Sequence, residues 1–500
     1  MKTDSELNVG RRRALKLATS AGITYAAPTI ARAASQSAET RAYDVVVVGA
    51  GVAGLYAARE LLDNGYRVLV LEASDRHGGR MYSKTLGGTR IEMGAEEHYL
   101  APNNPIYNAV VSELGSDAYV PAYPGDTLIS MNGGETCWEE TGRCEQDADI
   151  RNYWKYWSQY GNRANHQDFS ITMADDVLAQ FGVSKGHRAY HLFDSGIAGS
   201  IYGASLERIG AASLAQQDWI WTLSSDVLMF APHDIGYVDI LDRLWWDSII
   251  KHVDLNKPVT EIDSSGKSVV ITDATGNQYL AHKVIVTASV GVLQSETIRF
   301  SPVLPASTID AYNNIGMGRG MKVALRFSEQ FWESKMAYLI TEGLSSSCWI
   351  PSSYKENAAD KIVMCYPMGN NGQTLTDIAK AAGGGKAGAD AIIKIMLSDL
   401  DLIFGGRASV TYIDGIVQDW TAEPYIRGSY SYPMADTYQS GSSSKRKQLR
   451  ESVNDQIFFA GEGTSHTNPA CVPGALQEGA RAARQVHTLL GGLSRPPSTA

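Results

Sequence analysis

A cluster of glycines and charged side chains near the start of the chain has the spacing to hold a nucleotide. Gly49-Ala50-Gly51-Val52-Ala53-Gly54 follows the GxGxxG pattern, Glu72 comes 23 residues after Gly49, and Gly78-Gly79-Arg80 lies just beyond. Each glycine has a distinct task. Gly49 permits a tight turn, Gly51 lets a pyrophosphate approach the backbone, and Gly54 lets a helix pack closely on a strand. The amides of the following helix, Ala53 among them, offer unpaired N–H groups and a positive dipole end to phosphate. Glu72 is placed to accept from ribose hydroxyls and would repel a 2′-phosphate, which argues against NADP. A fixed guanidinium at Arg80, beside Gly79, suits a second contact on the same pyrophosphate.

The elements needed to carry these residues are legible. Tyr43-Asp44-Val45-Val46-Val47-Val48 is a β-branched run of the kind that forms a buried parallel strand. A helical pattern through Leu55, Ala58 and Leu61-Leu62 stops at Asn64-Gly65, and a second strand, Tyr66–Leu71, ends in Glu72. With a strand before the glycines and a helix after them, the motif passes its contextual tests. Some 410 residues later the pattern recurs. Ile457-Phe458-Phe459-Ala460 leads into Gly461-Glu462-Gly463-Thr464, and a helix begins at about Gly474. The two halves are expected side by side in one parallel sheet, with the intervening chain inserted.

Together these motifs resemble the flavin amine oxidase superfamily, with the polyamine oxidases and the flavin-dependent histone-lysine demethylases nearest. Three further stretches carry the resemblance: Ala460–Leu476, Trp420–Tyr432 and Gly316–Phe327. It runs from about residue 42 to 490. It implies an α/β fold in which a Rossmann-like FAD-binding domain receives an inserted substrate domain of mixed sheet and helices. The FAD part is expected at about 41–100, 232–300 and 415–490, and the substrate part at 101–231, rich in helices from 151, and 301–414.

The resemblance also assigns roles. Lys322 matches the lysine that holds a water near flavin N5 and assists reoxidation; a cation there favours negative charge developing on oxygen. Trp420 and Tyr425 match aromatics packed near the isoalloxazine, and Tyr430 matches one wall of an aromatic cage for the amine. Ser429 stands where monoamine oxidases carry the cysteine that binds flavin covalently, so the FAD is expected to be non-covalent. Cys471 stands where those enzymes have the second cage tyrosine, leaving the cage half open. Met93, Gly94, Ala95 and Glu96 belong to a flavin-lining segment, Val259 to a backbone contact on the adenine side, and Glu462, Cys471 and Val472 to the C-terminal half of the site. The helix after Cys471 can aim its dipole at the flavin pyrimidine edge. Glu97 falls where L-amino acid oxidases place an arginine for the substrate carboxylate. Its opposite charge suits a substrate with a second, cationic amine.

The implied reaction passes a hydride equivalent from the carbon beside a neutral amine to the flavin. The imine then hydrolyses, and O2 becomes H2O2. A basic L-amino acid such as arginine or lysine is the alternative substrate, and would need another cation, for which Arg427 is the candidate. A non-catalytic binding protein on the same fold is the alternative of another class.

Composition sets the bounds. The 500 residues include 44 Lys+Arg against 54 Asp+Glu, a net charge of −10, with no strong basic patch, so nucleic acid is not an expected partner. Arg11-Arg12-Arg13, a weakly apolar stretch and Ala31-Arg32-Ala33 resemble a twin-arginine signal over residues 1–33. The chain is therefore expected to be exported folded, through the twin-arginine machinery, to the periplasm or the outside. No later run reaches the length of a membrane span. Among five cysteines, Cys137 and Cys144 flank a turn where a disulfide is feasible, two thiols being equally compatible; Cys348, Cys365 and Cys471 show no metal-ligand spacing. Ala382–Ala387 imitates a phosphate loop without its Ser/Thr or preceding strand, and reads as a surface loop. The tail from 491 is expected to be disordered. A homodimer is compatible with all of this.

Overall fold

The β-branched run does form a central strand. In the computed structural model, which describes residues 42–99, 104–131, 133–140, 144–158, 168–220, 227–438 and 444–491, Ala42–Val48 lies between Val68–Leu71 and Gln278–Val286, parallel to both. Its side chains alternate between two cores. Val45 and Val47 pack with Leu55, Leu61 and Val486, while Val46 and Val48 pack with Ile262, Ile271 and Phe459. A strand covered on both faces must be apolar throughout. The signal-like residues 1–33 and the tail from 492 lie outside the described residues.

The two glycine-bearing halves share this sheet but do not touch as neighbouring strands. Gln278–Val286 runs between them. Its first half pairs antiparallel with Val269–Asp273, and its last three residues pair parallel with Ile457–Phe459. The expectation that the halves lie side by side is thus corrected by one intervening strand. Register keeps their ends level: Val48 is opposite Val286, and Val286 is opposite Phe459. Gly49, Thr287 and Gly461 therefore emerge at one carboxyl edge, where open α/β sheets bind ligands.

A second, seven-stranded sheet supplies the floor of a chamber. Its order is Tyr412–Asp419, Met321–Phe327, Lys361–Cys365, Ser347–Trp349, Met336–Ile340, Asp126–Met131 and Glu135–Trp138. The first of these strands straddles the boundary expected at 415. It pairs with the strand that carries Lys322, so the chain re-enters the cofactor part only after Asp419. Helices Ala148–Ser158, Met173–Phe181 and Ala211–Ile220 occupy the part expected to be rich in helices, the first starting three residues before 151. Cys137 and Cys144 form a disulfide just ahead of the first of them. Of the phosphate-loop imitation, Ala382–Gly384 is the turn joining helices Gly369–Ala381 and Gly385–Phe404, and Gly385–Ala387 is the first turn of the second helix rather than loop.

Two contacts show why small residues are needed beneath the first turn. A Cβ on Gly54 would sit 2.0 Å from the Gly49 carbonyl oxygen, and one on Gly479 would sit 2.2 Å from the Ala53 oxygen. Gly54 thus lets helix Val52–Asp63 seat against the turn, and helix Val472–Leu489 can approach it only because Gly479 lacks a side chain. Gly479→Val should therefore cost about 1–3 kcal/mol through forced separation of the helices. A clear fall in melting temperature is expected; an unchanged melt would show that the helices do not need this approach.

Candidate active site

One continuous cavity of about 1840 Å³ runs from the carboxyl edge of the first sheet to the floor of the second. That exceeds the roughly 300–1,000 Å³ of an ordinary small-molecule pocket. At one end stands Glu72. Its carboxylate accepts from the Ala50 amide at 2.7 Å and from the Ser74 amide and hydroxyl at 2.9 and 2.8 Å. It thus braces the glycine turn from inside. Val259, Lys257 and Asn256 complete this end.

The glycine turn follows. Gly49 has φ +107°, in the region that favours glycine, and a Cβ there would meet the Thr287 hydroxyl at 2.5 Å. A Cβ on Gly51 would meet nothing within 4 Å and would instead project into the cavity. Gly78 donates to the Ala50 carbonyl at 2.9 Å, so the Gly78-Gly79 turn is laid against the first one. No side chain caps helix Val52–Asp63, and Val52 and Ala53 face the cavity. Helix Val472–Leu489 is likewise uncapped, with Cys471 and Val472 on the lining. A pyrophosphate fits the first helix end and an electron-rich ring edge fits the second, so the residues present suit a flavin dinucleotide.

Arg80 and Glu462 join the two halves of the chain. One guanidinium nitrogen of Arg80 donates to Glu462 Oε1 at 2.7 Å and to the Ser429 carbonyl at 2.9 Å. Glu462 also accepts from the Ser431 hydroxyl at 2.5 Å and the Ala470 amide at 3.1 Å. Burial pulls this carboxyl up, but the charges of Arg80 and Arg446 prevail and hold it below its ordinary value. The pair fixes the segment that carries Tyr430.

At the floor, Lys322 is buried and points its ammonium into a polar knot. Its Nζ donates to Glu96 Oε2 at 2.6 Å and to the Glu92 carbonyl at 3.1 Å, and it lies 4.9 Å from the Trp349 ring centroid. Glu96 Oε1 accepts from Trp349 Nε1 at 3.2 Å and from the Tyr354 hydroxyl. Tyr366 donates to the Tyr430 hydroxyl at 3.2 Å, and Tyr430 donates to the Ser200 carbonyl at 3.4 Å. Glu97 faces the cavity and accepts from the Tyr123 hydroxyl at 2.7 Å.

Most of the residues singled out in the sequence line this cavity, and four need comment. Met93 does not: it is fully buried in the core, and only its carbonyl takes part, accepting from Trp420 Nε1 at 2.8 Å. An apolar side chain next to a glycine can turn inward and leave its backbone to hold the neighbour. Gly54 acts from beneath the turn rather than on the lining. Tyr425 stands at a rim, 44% exposed, whereas Trp420 is enclosed. Arg427 lies against the nucleotide part, donating to the Pro424 carbonyl at 3.1 Å, with its own carbonyl packed on Gly291. Its side chain is exposed.

Sequence reasoning missed Tyr123, Tyr338, Trp349 and Tyr366, which wall that chamber. Tyr338 and Ile340 share the lining at strand period two, a signal that could have placed one of them once the strand Met336–Ile340 was known. Cys471 adds a thiol that burial pushes up to about 12, so it is a neutral wall. Among the described residues no cluster could hold a metal ion, and no helix is long and apolar enough to cross a membrane.

Comparison with known proteins places this geometry. Residues 52–487 match the family model described as flavin containing amine oxidoreductase. The chain is 28% identical to the Mus musculus lysine-specific histone demethylase 1B over 465 residues, 88% of this chain and 52% of that protein. It is 27% identical to Arabidopsis thaliana polyamine oxidase 2 over 487 residues, covering 90% and 89%. The chain spans about half the length of the first demethylases it matches. Among solved structures, putrescine oxidase bound to putrescine superposes with a TM-score of 0.72 at 17% identity, over 90% of this chain and 99% of that one. Cyclohexylamine oxidase from Brevibacterium oxydans IH-35A gives 0.70 at 21%, with the same coverage. The fold is theirs.

Glu92, behind Lys322, gives this region a pH signature. Its carboxyl accepts from the Ser83 hydroxyl at 2.6 Å and the Tyr237 amide at 2.8 Å, and burial pushes it up to about 7 against the pull of Lys355. A carboxyl raised on folding adds stability at low pH and loses it as pH climbs through its folded value. Between about pH 5 and 8 the wild type should lose stability, on the order of 3 kcal/mol, that Glu92→Gln retains. Urea unfolding of both proteins across that range checks it, and equal slopes would contradict the assignment.

Proposed function

This chain belongs to the flavin containing amine oxidoreductase family, and from that premise we propose that it oxidises the C–N bond of a cationic di- or polyamine. Dioxygen takes the electrons and leaves as hydrogen peroxide, and the imine product hydrolyses to a carbonyl compound and an amine. When bound, FAD supplies the hydride acceptor. The chain's own residues do the rest. Glu72, the glycine turn and Arg80 would hold the nucleotide, and Trp420, Cys471 and Val472 would bound the ring. Tyr430, Tyr366 and Trp349 present π-faces to an amine, each favourable to a cation by about 0.5–2 kcal/mol. Lys322 would place a positive charge where oxygen is reduced.

One observation carries the choice of substrate. The cations on the cavity lining are Arg76, Arg80, Lys257, Lys322 and Arg427. Arg76 is bonded to the Gly79 carbonyl, Arg80 to Glu462, and Lys257 follows the Glu72 end; Arg427 is backed by Gly291. Lys322 is already paired with Glu96, Arg76 lies over the Tyr82 ring, and Arg427 is exposed, while Glu97 faces the cavity as an acid. That suits a substrate with a distant ammonium and disfavours one whose carboxylate must be held, as in a basic L-amino acid. Two intact flavin-binding halves and an inward lysine speak against a non-catalytic role. We further propose export by the twin-arginine route; the arginine run and the Cys137–Cys144 disulfide support an oxidising destination.

The test is anaerobic bleaching of the purified yellow protein by putrescine, spermidine, spermine, L-arginine, L-lysine and aromatic monoamines, followed by oxygen and a peroxide assay. Bleaching by diamines or polyamines with peroxide on reoxygenation is expected; bleaching by L-amino acids alone would overturn the reading. Glu97→Gln should raise KM for dications about tenfold more than for monoamines, a difference of about 1.4 kcal/mol. An equal rise for both would remove Glu97 from the pocket.

A further inference from the structure

Glu96 entered as one of several residues along the flavin-lining segment, yet its carboxylate is already fully engaged. We propose that Glu96 is the counter-ion that fixes the position and charge of Lys322, and through it governs the oxygen step. It is a positioning residue. The inference rests on the reading of Lys322 given above.

The geometry carries it. Both side chains are enclosed, at 6% exposure each, and they meet at 2.6 Å. Glu96 gathers donors from three separate places. Lys322 comes from strand Met321–Phe327, Trp349 from strand Ser347–Trp349, and Tyr354 from just beyond the short turn Pro351–Ser353. A carboxylate tied at both oxygens cannot swing away from its partner. Lys322 spends a second N–H on the Glu92 carbonyl. An ammonium has three N–H bonds, so one is left for the cavity that Lys322 lines.

No other acid does this work among the described residues. The Glu92 carboxyl is occupied by Ser83 and Tyr237, and is raised by burial. Glu97 is bonded to Tyr123. Lys355 is the nearby second lysine, its Nζ donating to the carbonyls of Pro232 and Ile235, and burial lowers its affinity for a proton. Tyr354 and Tyr366 are driven upward by burial and stay neutral, and Tyr430 is bonded to Tyr366 and Ser200. Lys322 otherwise faces only the rings of Trp349 and Tyr366, at 4.9 and 5.8 Å. Aromatic faces attract a cation but cannot replace a carboxylate in a site shielded from water. Without Glu96, burial disfavours the charged lysine, and its charge is lost as pH rises.

The step at stake is simple in its balance. Dioxygen takes two electrons from the reduced cofactor and two protons, and leaves as hydrogen peroxide. Stopped-flow kinetics of the holoenzyme separate this step from anaerobic reduction by amine, and both can be followed from about pH 6 to 9 in wild type, Glu96→Gln, Glu96→Asp and Lys322→Met. Wild-type reoxidation should be level across the range. In Glu96→Gln it should fall as pH rises, ending at least about tenfold slower and losing more than the reduction step does. Glu96→Asp keeps the charge with a shorter reach, and should move in the same direction by less. Lys322→Met should reoxidise slowly at every pH.

A Glu96→Gln profile that follows the wild type while Lys322→Met is slow overturns the counter-ion role alone. Wild-type reoxidation in Lys322→Met overturns the reading of the lysine itself, and the proposal with it. Should Glu96→Gln fail to retain flavin, Glu96→Asp carries the test, and a level, wild-type profile there overturns the proposal.

Discussion

Strand Gln278–Val286 is the constraint on which the site depends. It binds the first glycine-bearing strand along one edge and the last strand of the sheet along the other. Because parallel pairing fixes register, residues 48, 286 and 459 end in line. Three loops then open at one edge of the sheet, although hundreds of residues separate them in the chain. Neither terminal motif alone forms the binding edge; a shared neighbour does. The Arg80–Glu462 ion pair, 382 residues apart in sequence, is a consequence of that alignment and then tightens it. A charge-assisted hydrogen bond to a buried carboxylate adds directional restraint where hydrophobic packing has none.

The chamber beyond is built on a different principle. The nucleotide part relies on backbone amides, whose direction is set by two uncapped helix ends. The floor relies on side chains from a sheet, where alternate residues point up. Lys322 sits among Met321, Val323 and Leu325, and strand alternation sends it to the face opposite its immediate neighbours. A lysine there would be untenable in an apolar layer, since an unpaired buried ammonium carries a large desolvation cost. Glu96, Trp349 and Tyr354 make it tenable by surrounding the charge with one carboxylate and two hydrogen-bond donors to that carboxylate.

These two principles explain what could be read in advance. The glycine turn, Glu72 and the helix after it are local in sequence, so spacing alone exposes them. Lys322 is assigned by resemblance, through the stretch Gly316–Phe327. The partner of Lys322 was a different matter. Trp349 and Tyr354 lie 253 and 258 residues from Glu96, and nothing in either stretch marks it as facing the other. The same limit applied to strand order: two similar strand–loop–helix patterns suggested neighbours, and only the structure reveals the strand between them. Met93 shows the converse. Its neighbours Gly94–Glu97 line the cavity, but the side chain of an apolar residue answers to the core, and only its carbonyl answers to the site.

The distribution of charge along the cavity follows from both parts together. Helix ends Val52–Asp63 and Val472–Leu489 present positive partial charge where the dinucleotide's phosphates and ring edge would lie. Arg76, Arg80 and Arg427 reinforce that sign on the same stretch. Past Lys322 the walls are mainly neutral rings, and the half-buried acid Glu97 faces the cavity. The cofactor's phosphates would meet positive helix ends and the proposed cationic substrate an acid, a separation in which Glu72 and Glu462 on the first stretch are already engaged by backbone amides and by Arg80. Burial sharpens the separation, because fields in a water-poor cleft are screened far less than at a surface. Under the proposed function, selection of a positively charged amine depends on where the cations stand as much as on the carboxylate that faces them.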